Sequence, residues 1–250
     1  MIFSKALLKT KLKATGIHLS MSLVIFFILA YQIIYVWYPQ PYFSIDGGWQ
    51  GIRIVAAVDL ALGPMITFLI FDLAKSRKEL FFDLLVIATI QIGALTYGVV
   101  TTYEQRPVAV ILYGDFIISA VEADYGDQLE SLDELKFFSD ETPPIIYADV
   151  PLERAVFEEI MRIKFEQKIN EHAQIQLYQP KSGLISGLKN RQSNYLALIE
   201  DFGQNDHYQQ WLKENNRDQT DVLVALFYGR YGQAWLIFDL EANYIGYFGF

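Results

Sequence analysis

Gly51 to Phe71, GIRIVAAVDLALGPMITFLIF, is an almost wholly apolar run of about 21 residues, long enough to cross a bilayer as a helix. One acid, Asp59, stands near its middle and is followed by Gly63-Pro64. A carboxylate in hydrocarbon is costly, so Asp59 has to face protein or water, or carry a proton. Two further runs flank this one. Ile17 to Tyr38 is about 22 residues without a formal charge, and Leu80 to Val100 has Asp83 near its start and Gln91 near its middle. Three such runs commit the first part of the chain to transmembrane helices, with spans expected over residues 17–38, 51–71 and 80–100.

The first run is too long for a signal peptide and ends in Tyr35, Trp37 and Tyr38 rather than in small residues, so a retained span is expected. Trp37, Tyr38 and, in the following loop, Trp49 are expected as interfacial anchors at the headgroup level. Pro39 and Pro41 stop the first helix, and Gly47-Gly48 suit a turn. Bases sit before the first run (Lys5, Lys9, Lys11, Lys13) and between the second and third (Lys75, Arg77, Lys78). The positive-inside rule then places the N-terminus in the cytoplasm and everything after the third span outside.

Depth within the bilayer links two polar residues. At about 1.5 Å of rise per residue, Asp59 lies roughly 18 Å from Phe71, and Gln91 roughly 16 Å from Leu80. The amide of Gln91 can therefore donate to Asp59. Asp59, Gly63, Pro64 and Gln91 are the candidate residues for binding a partner segment or for packing the helices. Gly63-Pro64 reads as a hinge or cleft for another helix, or as a tolerated kink.

Past Tyr103 the pattern changes to that of an α+β domain over residues 104–250. Val108–Tyr113 and Phe116–Val121 flank Gly114-Asp115 as a β-hairpin. Residues 123–136 read as a short acidic helix and Pro151–Lys168 as an amphipathic one, with Pro151 in its first turn. Residues 180–194 read as a loop, 206–216 as a helix, and 221–250 as a β-meander.

Charge divides the chain in the same place. Residues 1–103 carry eight bases and five acids, a net +3, whereas 104–250 carry twelve bases and 24 acids, a net −12. A domain that acidic repels nucleic-acid phosphates. The chain has no cysteine, which removes thiolate catalysis and Cys-based metal sites. His18, His172 and His207 have no metal-ligand spacing, and the two later ones read as surface residues. No nucleophile elbow, P-loop or dinucleotide fingerprint occurs, so no catalytic residue, metal or cofactor is expected.

The membrane half resembles the type IV pilin accessory proteins of the TfpX/TfpZ (FimB-like) type. The matching residues run in order over about 12–108: Leu12-Lys13-Ala14 with Gly16-Ile17-His18-Leu19, Val36-Trp37-Tyr38-Pro39, Gly47-Gly48, Asp59 with Leu62-Gly63-Pro64, Lys78-Glu79-Leu80, Asp83-Leu84, Gln91, Tyr97-Gly98, and Arg106-Pro107-Val108. The D-x-x-L-G-P element and the W-Y-P loop are the specific ones. The resemblance implies an inner-membrane, non-enzymatic, chaperone-like factor that helps its cognate type IV pilin reach the pilus, with its outer domain in the periplasm. A membrane-anchored extracytoplasmic sensor or ligand-binding module is the alternative reading.

Overall fold

A computed structural model describes residues 5–72, 75–150 and 153–249. The chain forms two compact units: residues 1–43 with 47–103, and residues 44–46 with 104–250.

In the first unit the apolar runs form three helical rods, Leu7–Trp37, Gly48–Ile70 and Arg77–Glu104, each long and apolar enough to cross a membrane. They extend beyond the apolar runs because the flanking polar residues continue the same backbone hydrogen bonding. The first rod is α1 (Lys5–Tyr31) continued by a π-helical stretch, Gln32–Trp37. After a single turn, α2 (Tyr42–Ile45), the second rod begins as α3 (Gly48–Ala56). It passes through a π-helical stretch, Ala57–Leu62, into α4 (Gly63–Ile70). The third rod is α5 (Arg77–Glu104).

The second rod does not break at Gly63-Pro64. A proline ring clashes with the carbonyl four residues back and leaves it without an N–H. The wider π turn ahead of Pro64 accommodates this, and the helical path continues.

The rods close together at one end. Ile33, Tyr38, Ile52 and Val55 form a buried cluster, with Leu95 and Val99 packed against it. Tyr38 Oη donates to the Thr102 carbonyl at 2.9 Å. Gly51 faces the Thr102 side chain, and a Cβ on Gly98 would lie 2.9 Å from Ile54 Cγ2. Small residues here let the backbones approach where no larger side chain fits. At the other end Lys11 Nζ donates to the carbonyls of Phe68 and Leu69 at 3.0 and 2.8 Å. Those carbonyls lie in the last turn of α4, where a helix leaves acceptors open.

The second unit is built on one mixed seven-stranded sheet of order β4-β3-β1-β2-β5-β6-β7. Its strands are β1 (Ala109–Tyr113), β2 (Phe116–Ala120), β3 (Ile145–Ala148), β4 (Tyr178–Gln179), β5 (Leu223–Tyr228), β6 (Gln233–Phe238) and β7 (Tyr244–Gly249). The hairpin β1–β2 turns on Gly114 at φ 59°, and β5–β6–β7 is an antiparallel meander. Two parallel pairings, β1 with β3 and β2 with β5, join these pieces into one sheet.

α6 (Arg154–Gln167) packs through Ile160 into a core with Ile111, Ile146, Leu135 and Tyr178. Pro151 and Leu152, expected in the first turn of this helix, lie outside the described residues. The acidic stretch 123–136 is not one α-helix but two 3₁₀ segments, Glu122–Tyr125 and Leu132–Phe137.

The expected loop at 180–194 is instead the first two-thirds of a long helix, α7 (Lys181–Asp201), which is followed by α8 (Asn205–Glu214). The reason lies in Gly183 and Gly187. They are not turn residues: a Cβ on Gly183 would lie 2.6 Å from Gln179 Cβ, and one on Gly187 would lie 3.1 Å from the Tyr147 ring and 3.3 Å from Leu112. They let α7 lie close against the sheet.

Residues 44–46 are held by the β5–β6 turn. Asp46 is fully buried. Its Oδ1 accepts from Arg230 N and Nε at 3.0 and 3.2 Å, and its carbonyl accepts from Arg230 Nη2 at 2.6 Å. Arg230 Nη1 also donates to Gln105 Oε1 at 2.9 Å, and Tyr231 N donates to the Ile45 carbonyl at 2.9 Å.

Candidate functional site

The polar groups of the first unit fall on matching helical stripes. On the first rod Lys11, His18 and Ser22 share a face. On the second, Asp59, Gly63 and Thr67 recur every four residues. Facing each other, they form a ladder: Lys11 to the end of α4, His18 Nδ1 to Thr67 Oγ1 at 2.6 Å, and Ser22 Oγ donating to Asp59 Oδ1 at 3.1 Å. From the third rod Gln91 Nε2 donates to the same Oδ1 at 2.8 Å. Asp59 and Ser22 are 1 % and 2 % exposed.

Gly63 belongs to this cluster for a steric reason. A Cβ there would collide with the Gln91 amide, so glycine is what lets the third rod bring Gln91 to the acid. Asp59 sits in the π-helical stretch, a local irregularity common at functional positions in helices. The Asp59–Gln91 bond leaves two buried acceptors, Asp59 Oδ2 and Gln91 Oε1, without a hydrogen-bond partner among the described residues.

Beside this cluster lies a cavity of about 600 Å³. α1 and α5 supply most of its lining, including Ile17, Met21, Leu84 and Ile92, the second rod supplies Asp59 and Thr67, and Phe71 follows directly after that rod. Met21 and Ile92 are each 65 % exposed. The cavity is therefore a lateral groove between the first and third rods, apolar on its sides, with Asp59 and Gln91 at its base. Leu95 lines the groove and also packs against the Ile33–Tyr38–Val55 cluster that closes the bundle.

The three aromatic residues expected at the interface have different surroundings. Tyr38 is 1 % exposed and ties the first rod to the third through its hydroxyl. Trp37 packs edge-on against Tyr103, with ring centroids 5.2 Å apart. Trp49 is exposed, with the Arg53 guanidinium 5.3 Å from its ring centroid and Phe43 edge-on at 5.9 Å.

In the second unit a smaller cavity of about 270 Å³ is lined by Asp115, Phe116, Arg191 and Tyr195 among others. Its cation is already engaged: Arg191 Nε is 3.3 Å from Asp115 Oδ1, and Nη1 donates to the Gly187 carbonyl. His172 is not the surface residue its sequence context suggests. Its Nε2 is buried without a hydrogen-bond partner among the described residues, and burial pushes the imidazole below its ordinary range. His207 is exposed. Among the described residues no group of His, Asp and Glu side chains is arranged to hold a metal ion.

Sequence reasoning named Asp59, Gly63 and Gln91 but missed Ser22, His18 and Thr67 as their companions. The four-residue spacing of His18 with Ser22, and of Asp59 with Gly63 and Thr67, was the available signal.

Residues 6–47 match the family of the fimbrial assembly protein FimB. Over 105 residues, 42 % of this chain, the protein is 38 % identical to the fimbrial assembly protein of Dichelobacter nodosus serogroups C1 and C2, and the match covers 80 % of that protein. It is also 38 % identical over 105 residues to the fimbrial assembly proteins of serogroups E1 and I of the same organism, of which the match spans 41 % each. No solved structure matches the chain. With four-fifths of the first of these relatives covered at that identity, the chain belongs to the FimB family of fimbrial assembly proteins.

Proposed function

We propose that the protein is a non-enzymatic accessory factor that helps one cognate type IV pilin reach the assembled pilus. The relatives' description as fimbrial assembly proteins supports the pathway. The observation that carries the mechanism is the lateral groove between the first and third rods. A pilin holds an apolar helix in the membrane, and an open apolar groove of about 600 Å³ gives such a helix a protein surface to lie against. The rods stand in the inner membrane with the Lys-rich N-terminus in the cytoplasm, which puts the second unit in the periplasm beside the pilin head. That unit supplies selectivity for one head.

The test is deletion of the gene with surface pili and total pilin measured in the same cells. Loss of pili at normal pilin levels assigns the protein to assembly, and loss of both makes it a stabilising chaperone. Unchanged pili and pilin in a strain with no second copy would overturn the proposal. Selectivity is tested by exchanging residues 104–250 between two such proteins: pilin preference that stays with the membrane half refutes the role given to the periplasmic unit.

A further inference from the structure

At the base of the groove the hydrogen bonding is one-sided. Asp59 Oδ1 is satisfied twice, by Ser22 and by Gln91. The two remaining oxygens of the pair, Asp59 Oδ2 and Gln91 Oε1, are both acceptors, both buried, and both without a partner among the described residues. Burying an unmet acceptor is unfavourable anywhere, and more so where no water can reach it. Both side chains line the groove. What the groove lacks at this point is a donor, and its one acid makes a cationic donor the best match. Lys11, on the same face of the first rod, is engaged with the carbonyls of Phe68 and Leu69, and Lys13, which also lines the groove, lies nine residues, about 13.5 Å of helix, before Ser22.

We infer that the groove receives a partner helix carrying one protonated amine, which docks against Asp59 Oδ2 and Gln91 Oε1. Asp59 is equidistant from Gly48 and Ile70, the two ends of the second rod. At about 1.5 Å per residue that places the amine roughly 16 Å from either end, near the middle of the hydrocarbon. An amine is tolerated at that depth only when it is paired, so the pairing fixes the partner's height in the membrane as well as its identity. A fully apolar helix would fill the groove sides but leave the two acceptors unmet. The inference rests on the reading that a pilin helix occupies the groove, and it adds the chemistry by which that helix is recognised.

The experiment is site-specific photo-crosslinking in membranes that contain the full-length protein and its pilin. Probes go at Met21 and Ile92 on the groove, and at Phe27 and Tyr97, which are exposed but do not line it. The groove probes are expected to capture the pilin and the other two are not. Asp59→Asn should leave the protein's own level unchanged and weaken capture by about 30-fold or more, the scale for removing one member of a buried charged pair. Asp59→Glu should retain capture.

A second arm leaves this protein untouched: blocking or removing the amine on the pilin helix should weaken capture to the same degree. Undiminished capture in both arms overturns the amine and leaves the groove reading standing. Capture of lipid alone, or of pilin equally from all four positions, overturns the groove reading itself.

Discussion

Arg230→Met is the sharpest test of how the second unit is held. The substitution keeps an unbranched apolar stem and removes the guanidinium. Asp46 is fully buried, and its Oδ1 accepts from Arg230 N and Nε, so among the described residues the variant strands a carboxylate with one backbone donor. Breaking a fully buried pair in this way costs about 3–5 kcal/mol. The Arg230 side chain is 32 % exposed, which lets water compensate in part and argues for the lower end, about 3 kcal/mol. For a unit of this size, 3 kcal/mol lowers Tm by roughly 9 °C. Thermal unfolding of the purified protein in detergent, followed by circular dichroism, reads this directly. Asp46→Asn with Arg230→Met should cost clearly less than the sum of the two single variants, because the second substitution removes the charge that the first stranded. A single-variant shift below about 2 °C, or strict additivity, would show that the pair is held no more tightly than a surface ion pair.

Three further outcomes are expected. Gly63→Ala should lower the stability of the detergent-solubilised protein by about 1–3 kcal/mol, despite the better helix propensity of alanine, because its methyl displaces the Gln91 amide from Asp59; a stabilised variant would refute the packing role given to Gly63. Gly183→Ala should cost more than Gly187→Ala, since the first meets Gln179 Cβ at 2.6 Å and the second meets ring and methyl carbons at 3.1 Å and beyond; equal melting temperatures would count against the close seating of α7. Burial holds the His172 imidazole below its ordinary value of 6.5, so the unfolded chain takes up the proton first. The contribution is complete above about pH 6.5 and is lost as pH falls from there toward the folded-state value. His172→Gln should flatten that part of the pH–stability curve, and an unchanged slope would point to another group.

The parts of the fold that could be read in advance are those written locally. Apolar length announced the three rods, a Gly-Asp pair announced the β1–β2 turn, and alternating β-branched and aromatic residues announced the terminal meander. The failures share a cause, which is that the deciding partner lies far away in sequence. Gly183 and Gly187 look like loop formers until Tyr147 and Gln179 are set beside them. The parallel pairings of β1 with β3 and of β2 with β5 leave no local mark, because a parallel register is fixed by what lies across the sheet. At the candidate site, counting residues from the ends of the apolar runs was enough to match Asp59 with Gln91. Lys11 was read only as a flanking positive charge, although it reaches the last carbonyls of α4. The role of Gly63 was hidden because it depends on Gln91 from another rod.

The bond between Asp46 and Arg230 spans 184 residues of sequence, and this gives the molecule an order of assembly. The acid is made 184 residues before the cation that satisfies it, which comes only with the β5–β6 hairpin. Until that cation arrives, burial of the Asp46 carboxylate has no counter-charge to support it. The second unit is therefore not a contiguous piece that can be cut out at Glu104. A fragment of 104–250 lacks the three residues on which its β5–β6 turn closes, and a chain stopped short of residue 230 cannot complete the site that Asp46 begins.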